Sequence, residues 1–327
     1  MPVKHTRTIE YRAIDDGHDL DAAFAEYWPA YRAWIARDRR KTSAKAAREA
    51  LHAHMPELVP VHESLVQRLG ESAEVARFLT LYNPPPLVRG CTQALWLGEG
   101  GPALVRNYDH APHLTDALAL RTHWQGIRTL GMADCLWGLL DGVNEHGLCV
   151  ALAFGGRPTH GPGFAAPLLV RYALQTCASA KEAADAIARV PCAMTYTFVC
   201  LDKQRQHATV YVAPDRPARV DHAIASANHQ GKVEWPQYAG FCKTTERLAR
   251  ARQLLDQPGQ TLDALTREFL RPPLYRRAYS KASGTLYTCV YHPTQGTLAL
   301  HWPRAEPSST MALTLDGFDS AHVRVVY

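Results

Sequence analysis

A run of three prolines, Pro84–Pro86, divides this chain of 327 residues into a helical part and a strand-rich part. Proline stops a helix because its ring fixes φ and removes the backbone donor. Before the run, apolar residues recur every three to four positions from Asp19 onward, which predicts an amphipathic helix. Three more helices are predicted over residues 43–54, 56–69 and 72–81. The chain is therefore expected to begin with a short extended segment at 5–13 and then a helical segment.

The part after the prolines alternates groups of strands with pairs of helices. Strands are predicted over 87–97, 103–107, 117–122, 136–140, 148–154, 195–201, 208–212, 219–226, 285–291 and 297–302. Helices are predicted over 164–177, over 244–256 and 261–270, and after Ser179, where Ser179 and Glu182 form a capping box. The stretch Asp141–Gly147 is rich in turn-forming residues and is predicted to join two strands. This order fits stacked antiparallel sheets covered by helices, an α+β fold.

The junction between the two parts contains Gly90 and Cys91, followed by Thr92. A cysteine at such a switch suggests a residue that becomes a new N-terminus by self-cleavage and then acts as a nucleophile with its own α-amine as base. Gly90 has no Cβ, so the backbone can bend and the approach of the sulfur is open. An α-amine has an unperturbed pKa of about 7.7–8.0, close to the pH at which a general base is most effective. The alternative is a structural thiol, because cysteine is among the most buried residue types.

A predicted hairpin brings a second group to this cysteine. Strands over Thr92–Leu97 and Ala103–Asn107, joined by a glycine-containing turn, return the chain to the start of the first strand. Asp109 would then lie beside Cys91, although a lone aspartate in a loop-like context more often caps a turn. Arg106 needs a carboxylate nearby if it is buried. Arg106 is expected either to form an ion pair with Asp109 or to contact the substrate.

Composition limits the class of protein. Hydrophobic residues make up 46% and charged residues 20% of the chain, which is typical of a globular protein with a sizeable core. The N-terminus has no apolar core of the kind that a secretory signal carries, and no stretch approaches the roughly 18 apolar residues of a membrane span. The eight cysteines form no Cys-x-x-Cys pair, which predicts reduced, buried thiols. We therefore expect a cytoplasmic protein with no membrane partner.

Few features of the sequence point to a metal, a cofactor or a nucleic acid. His110 and His113 form the closest histidine pair, and neither a His-Glu-x-x-His motif nor a matched Cys/His set is present. There is no Gly-x-Gly-x-x-Gly motif and no P-loop. The net charge is +5, but the basic residues are dispersed except at Arg37–Lys41, which we interpret as a solvated helix end. No metal, no cofactor and no nucleic-acid partner is expected.

Five short motifs occur in an order that resembles one enzyme family. They are Gly90-Cys91-Thr92, Arg106-Asn107-x-Asp109, Asn144-Glu145-x-Gly147-Leu148, Ala227-Asn228-His229 and Thr285-Leu286-Tyr287-Thr288. Together they resemble the acyl-coenzyme A:6-aminopenicillanic acid acyltransferase family, a group of N-terminal nucleophile (Ntn) hydrolases related to the choloylglycine hydrolases. The resemblance covers about residues 85–305 and implies a four-layer αββα sandwich with an N-terminal helical pro-segment.

The resemblance also implies roles for single residues. Cys91 is the nucleophile, released by autoproteolysis between Gly90 and Cys91, and Asp109 hydrogen-bonds and orients the freed amine. Asn228 supplies a donor to the oxyanion of the tetrahedral intermediate, a contribution of about 10²–10³ in rate. Without the resemblance, the sequence predicts only that Asn228 lies in a turn. Arg106 belongs to the same site. The family also has a late basic residue near the site, for which the candidates here are Arg276, Arg277 and Lys281.

The implied function is a self-processing amidohydrolase or acyltransferase that acts on a small-molecule linear amide or acyl thioester through an acyl-enzyme. Scission gives a propeptide, residues 1–90, which is expected to stay associated with the catalytic domain, residues 91–327. The acyl group, the choice between hydrolysis and transfer, and the oligomeric state stay open. An inactive scaffold that binds a ligand or a protein partner is the alternative, since the helical segment offers an interaction surface. A papain-like cysteine hydrolase is a weaker alternative, because no convincing glutamine element precedes the cysteine.

Overall fold

The computed structural model describes residues 7–38, 40–317 and 321–327. The α-helices in these ranges are α1 (His18–Ile35), α2 (Ala44–His54), α3 (Val59–Leu69), α4 (Ala73–Leu79), α5 (Ala166–Thr176), α6 (Ala180–Arg189), α7 (Pro236–Cys242), α8 (Thr244–Leu255) and α9 (Leu262–Phe269). The strands are β1 (Thr8–Asp15), β2 (Gly90–Trp96), β3 (Ala103–His110), β4 (Leu118–Trp124), β5 (Ile127–Asp134), β6 (Gly138–Asn144), β7 (Leu148–Phe154), β8 (Tyr196–Asp202), β9 (His207–Ala213), β10 (Arg216–Asp221), β11 (Ala225–Ser226), β12 (Arg277–Ala278), β13 (Ser283–His292), β14 (Thr297–His301), β15 (Thr310–Thr314) and β16 (His322–Val326).

These strands form two sheets. The large sheet has the order β10-β9-β8-β7-β6-β5-β4-β1-β16, and the small sheet has the order β11-β2-β3-β13-β14-β15, with β12 paired to β13. Neighbouring strands are antiparallel except for β1 and β4, which are parallel. Most neighbours in the large sheet are joined by short turns, which is the usual connection for antiparallel pairs.

The two sheets stack face to face and each carries helices on its outer side. Helices α5 and α6 pack on the large sheet, and α8 and α9 pack on the small sheet. The main hydrophobic core fills the space between the sheets, where Leu104 lies, and continues between the large sheet and its helices, where Val150 and Phe198 lie. A smaller core, with Val105 and Phe269, lies between the small sheet and its helices. Each sheet thus buries both faces, and the predicted four-layer αββα architecture is confirmed.

The N-terminal helices are present as predicted, and they are tied to the sandwich. Phe78 of α4 packs against Trp28 of α1, with tilted rings whose centroids are 5.5 Å apart. The indole of Trp137, which precedes β6, donates to the carbonyl of Leu79 at 3.0 Å. Strand β1, the observed form of the predicted extended segment, hydrogen-bonds to both β4 and β16. The segment before residue 90 is therefore part of the large sheet as well as a helical layer.

Several local predictions were wrong. The predicted turn Asp141–Gly147 is shorter, since β6 continues to Asn144 and Asp141 is fully buried in it. The predicted strand 219–226 is two strands in different sheets, because the chain crosses between them after Asp221. The sequence analysis also missed β5, α7, β15 and β16. Periodicity alone did not mark these short segments.

Two further properties bear on the expectations from composition. All eight cysteines fall within the described ranges, and each is buried and without a disulfide bond. No helix in that part of the chain is both long and apolar enough to cross a bilayer.

Candidate active site

The hairpin of β2 and β3 sets the geometry of the site. Gly90 pairs directly with Asp109, and Cys91 pairs with Tyr108. The predicted hairpin is confirmed, but its strands extend further than predicted at the end that carries these residues. Side chains alternate along a strand, so Cys91 and Tyr108 face the core between the sheets, whereas Asp109 faces the helices.

Cys91 is fully buried, with no exposed surface. A guanidinium nitrogen of Arg106, Nη2, donates to its Sγ at 3.2 Å. Burial raises the pKa of the Cys91 thiol, and the positive charge of Arg106 opposes part of that rise. In the continuous chain the sulfur is therefore shielded from solvent, and the Arg106 guanidinium lies beside it.

Arg106 does not pair with Asp109, so the expected ion pair between these two residues is wrong. Its Nη1 contacts the carboxylate of Asp141 and lies 3.0 Å from the hydroxyl of Tyr287. Its Nε and Nη2 donate to the carbonyl of Leu152 at 3.2 and 3.1 Å. A buried arginine needs such a carboxylate to offset its desolvation. Arg106 lies at the site because it contacts the sulfur.

Asp109 pairs instead with Arg247, a residue of α8 that the sequence analysis missed. Arg247 Nη1 lies 3.2 Å from Asp109 Oδ2, and the Thr285 hydroxyl donates to Oδ1 at 2.6 Å. Arg247 Nη1 also donates to the carbonyl of Cys91 at 2.7 Å and to the Thr92 hydroxyl at 2.5 Å. One fully buried guanidinium therefore holds the start of β2 and the carboxylate opposite it.

Asn228 contacts the cysteine through its side-chain oxygen. Oδ1 accepts from the backbone N–H of Cys91 at 3.0 Å and from Arg247 Nη2 at 2.6 Å. Nδ2 donates to the carbonyl of Phe154 at 2.9 Å. Two donors on one side and an acceptor on the other fix which end of the amide faces the cysteine. The group expected to bind an oxyanion is thus occupied in the continuous chain, and the Cys91 nitrogen bonds Asn228, not Asp109.

The late basic residues lie apart from this cluster. The Arg276 guanidinium bonds the carbonyls of Ser283 and Phe241. Its backbone, by contrast, bonds Thr285: the N–H donates to the Thr285 hydroxyl and the carbonyl accepts from the Thr285 N–H, both at 2.8 Å. Arg277 and Lys281 are exposed. Among the described residues, Arg247 is the basic side chain that pairs with Asp109.

The other motif residues are structural supports. Asn107 Nδ2 donates to the carbonyls of Phe269 and Leu274 at 2.8 and 3.0 Å, which fastens the end of α9 to β3. Thr288 donates to Asn107 Oδ1 at 2.7 Å. Asn144 ties the turn before β7 to the end of α5 by donating to the carbonyl of Leu174. These contacts explain why polar residues recur in the motifs without touching Cys91.

A cavity of about 1060 Å³ approaches the site from the side of α1 and the prolines. It touches Arg89, the residue before Gly90, and Asp134, whose carboxylate pairs with Arg89 at 2.7 Å. Two nitrogens of Arg89, Nε and Nη1, have no hydrogen-bond partner in the described part of the chain. Aromatic and basic side chains from α1 and the following residues complete the wall: Tyr27, Tyr31, Trp34, Arg37 and Arg40. The cavity is large enough for a small organic molecule.

Part of the predicted solvated cluster therefore belongs to this cavity. Arg37 and Arg40 line it, whereas Arg39 lies outside the described residues. No set of three or more metal-ligating side chains is grouped in residues 7–38, 40–317 or 321–327.

A four-layer αββα sandwich with a cysteine at the start of a strand of the inner layers is the arrangement of the Ntn hydrolases. The chain belongs to the Acyl-coenzyme A:6-aminopenicillanic acid acyl-transferase family, whose model matches residues 96–307. The match begins after Cys91. No curated protein matches the chain significantly.

Solved structures of three similar proteins have low sequence identity to this one. Penicillin V acylase from Agrobacterium tumefaciens is 15% identical, with 64% of this chain and 82% of that chain covered at a TM-score of 0.47. The Caenorhabditis elegans N-acylethanolamine-hydrolyzing acid amidase ortholog is 16% identical, with 62% and 93% covered and a TM-score of 0.47. A mutant of conjugated bile acid hydrolase from Clostridium perfringens is 12% identical, with 71% and 96% covered and a TM-score of 0.45. These scores are low, and the family assignment comes from the sequence match.

Proposed function

We propose that this protein is a self-processing N-terminal-cysteine amidohydrolase or acyltransferase that cleaves or forms a linear, non-peptide amide bond. Cys91 is the nucleophile, and the bond between Gly90 and Cys91 is the one that the protein cuts in itself. The observation that carries the proposal is the convergence of Arg106, Arg247 and Asn228 on the atoms of Cys91, within a chain of this family.

The scission step moves an acyl group from nitrogen to sulfur. The Cys91 thiol gives up its proton, and the sulfur attacks the carbonyl carbon of Gly90. The bond from that carbon to the Cys91 nitrogen breaks as the nitrogen gains a proton, which leaves a thioester. Water then hydrolyses the thioester to a Gly90 carboxylate and frees both the thiol and the α-amine. Arg106 supports this step because its charge, 3.2 Å from the sulfur, stabilises a thiolate.

Gly90 suits this step for a steric reason. A Cβ at this position would meet Asp109 Cβ at 3.0 Å and Asp109 Oδ2 at 3.2 Å. Such contacts are tighter than ordinary van der Waals contacts, so a side chain here would push Asp109 or the strand away. The absence of a Cβ lets the carboxylate, held by Arg247 and Thr285, lie against the bond that breaks.

In the processed protein the Cys91 thiol attacks the acyl carbon of the substrate, with its own α-amine as the base. Asn228 Oδ1 already accepts from this nitrogen at 3.0 Å and would hold the amine in place. We propose that Asn228 Nδ2 leaves the carbonyl of Phe154 and donates to the oxyanion when substrate is bound. The amine of the substrate departs with a proton from the α-amine, and water or an acceptor amine then takes the acyl group from sulfur.

The residues before Cys91 would keep a role after scission. Strand β1 is hydrogen-bonded between β4 and β16, and α1 forms one wall of the large cavity. We therefore propose that residues 1–90 stay associated with residues 91–327 and complete the substrate cavity. The aromatic wall of α1 favours an apolar acyl group.

The proposed chemistry predicts that an acyl adduct forms on one sulfur, and mass spectrometry can detect it. Processed protein is incubated with p-nitroanilides that carry short, aromatic or long acyl chains, and intact mass with peptide mapping locates the adduct. We expect the adduct on Cys91, and none in Cys91→Ala. Cys135 also lines the cavity, so Cys135→Ala is the matched control and should acylate normally. An adduct that moves to Cys135, or none with any substrate, would contradict the proposal.

One observation favours the alternative of an inactive scaffold, which is that Cys91 has no exposed surface in the continuous chain. A thiol-reactive probe distinguishes an active enzyme from an inactive scaffold. An active protein should show one cysteine that reacts faster than the other seven once scission is complete. A scaffold should show Cys91 reacting no faster than buried structural cysteines such as Cys149.

A further inference from the structure

A second cavity, of about 720 Å³, lies beside α7 and carries an unusual charge. Four cationic residues line it, namely Lys243, Arg276, Arg277 and Lys281, together with the rings of Phe241 and Tyr275. None of the described residues that line this cavity is acidic. Three of the four cations are the residues for which the sequence suggested a place near the active site.

Arg276 is the buried member of this group, with only 9% of its surface exposed. Its Nε and Nη2 donate to neutral acceptors only: the carbonyl and hydroxyl of Ser283 and the carbonyl of Phe241, all at 3.1 Å. Its Nη1 makes no hydrogen bond with the part of the chain that the structure describes. Burial lowers the pKa of the Arg276 guanidinium, and the more distant charges of Asp109 and Arg247 act on it in opposite directions.

This differs from the other buried arginines near the site. Arg89, Arg106 and Arg247 each pair with an aspartate, whereas Arg276 has no carboxylate at ion-pair distance within residues 7–38, 40–317 and 321–327. A buried cation without a counterion is costly, because desolvation is not repaid by an attractive charge. The charge of Arg276 is thus left available to a group from outside the chain.

The three remaining cations are exposed and point to the same conclusion. Lys243, Arg277 and Lys281 make no ion pair with any residue in the described ranges, whereas Arg250 of α8 and Arg271, two residues after α9, both pair with Glu268. Like charges around one concave surface repel each other and raise the local positive potential. A multiply charged anion would relieve this repulsion, and it would also offset the free-energy cost of desolvating Arg276.

We propose that this cavity is a binding site for a ligand that carries a diphosphate group. The guanidinium of Arg276, which Ser283 and Phe241 hold in place, would donate from Nη1 to one phosphate. Lys243, Arg277 and Lys281 would contact the remaining phosphate oxygens. Planar guanidinium groups and lysine ammonium groups are the side chains that bind phosphate oxygens best. The volume is within the range of small-molecule sites, and the exposed ring of Phe241 offers a surface for a flat group attached to the phosphates.

This site is separate from the cysteine that the proposed function uses. Cys91 does not line the cavity, and the connection between the two runs through the backbone N–H of Arg276, the Thr285 hydroxyl and the carboxylate of Asp109. Binding can therefore be measured without any assumption about catalysis.

Isothermal titration calorimetry on the full-length protein tests the proposal, with inorganic pyrophosphate, ADP and adenosine as the three probes. Arg277→Ala and Lys281→Ala are the test variants, because both side chains are exposed and we expect their removal to leave the fold intact. Lys232→Ala and Arg304→Ala are matched controls, since both are exposed cations outside the cavity. Thermal unfolding of each variant confirms that it folds.

We expect pyrophosphate to bind the wild type and both controls equally, and to bind each test variant about tenfold more weakly, as for the loss of one charge-assisted hydrogen bond. ADP binding more tightly than pyrophosphate would identify a ligand with a group attached to the phosphates, and equal affinity would identify the free anion. Binding of adenosine as tight as that of ADP would overturn the proposal. Equal weakening in the control variants, or no binding of pyrophosphate at all, would overturn it too.

Discussion

Arg247 donates a hydrogen bond to the carboxylate of Asp109 at 3.2 Å, and neither side chain has any exposed surface. The same guanidinium reaches the carbonyl of Cys91 and the side-chain oxygen of Asn228. Removing one partner of a buried ion pair leaves the other charge uncompensated, which typically costs about 3–5 kcal/mol. The pair therefore links the stability of the protein to the geometry around its cysteine.

The first prediction concerns this arginine. Arg247→Met should lower the free energy of unfolding by about 3–5 kcal/mol in denaturant titrations, because Asp109 and Asn228 lose their shared donor. Arg250→Met, on the same helix, removes a partly exposed pair with Glu268 and should cost about 1 kcal/mol or less. Equal losses for the two variants would show that Arg247 does not hold the site in the way described.

The second prediction concerns the residue before the cysteine. Gly90→Ala should slow scission and lower the yield of processed protein, because its Cβ would lie 3.0 Å from that of Asp109. Gly240→Ala is the control, since a Cβ there meets nothing within 4 Å. The fraction of cleaved chain, followed over time on denaturing gels, measures both. Unchanged scission in Gly90→Ala would remove the steric argument.

How much the sequence could predict is clear from this site. Gly90, Cys91 and Asp109 lie where the hairpin was expected to place them, because strand pairing and a short turn are local properties of the chain. Arg247 was not predicted. It stands in a helix with Arg250 and other charged residues, and only packing against the small sheet shows that it is buried.

The partner of Arg106 was missed for a related reason. Asp141 stands in a stretch of turn-forming residues, so its place in β6 follows from pairing with β5 and β7, not from its own neighbours. The tyrosines that bond it, Tyr287 and Tyr291, are 146 and 150 positions away along the chain. Sequence patterns give periodicity and turns, but contacts of this separation depend on the whole fold.

The third prediction concerns Asn228. Asn228→Ala should reduce acyl transfer by about 10²–10³ if its amide supplies one oxyanion donor. Asn228→Asp keeps the oxygen that faces the Cys91 nitrogen and removes the amide hydrogens, so it should retain scission better than it retains turnover. Parallel assays of scission and of steady-state turnover separate the two roles. Equal losses in both assays for Asn228→Asp would contradict the division of roles between Oδ1 and Nδ2.

The fourth prediction concerns pH. Burial and the neighbouring Asp134 raise the pKa of Asp116 to about 7, against the opposing effects of the Tyr31 hydroxyl, the Leu136 N–H and Arg89. The folded state thus keeps a proton that the unfolded state releases near pH 4, at about the ordinary pKa of an aspartate. The stability that this provides is complete below about pH 4 and is lost as pH rises through about 7.

Denaturant unfolding at pH 4.5 and pH 8 tests this coupling. Because asparagine does not ionise, Asp116→Asn should gain stability relative to the wild type as the pH rises. Asp256, an aspartate at the end of α8, is the control position for the same substitution. A difference between Asp116→Asn and the wild type that does not change with pH would contradict the assignment.

The central claim is that Cys91 cuts the bond behind it, and the intact mass of freshly purified protein tests this most directly. We predict two polypeptides, residues 1–90 and residues 91–327, that copurify under native conditions, with Cys91 as the N-terminal residue of the second. Cys91→Ala should give one uncut chain. A wild-type protein that stays a single chain of 327 residues after prolonged incubation, with Cys91 inert to thiol reagents, would contradict the account.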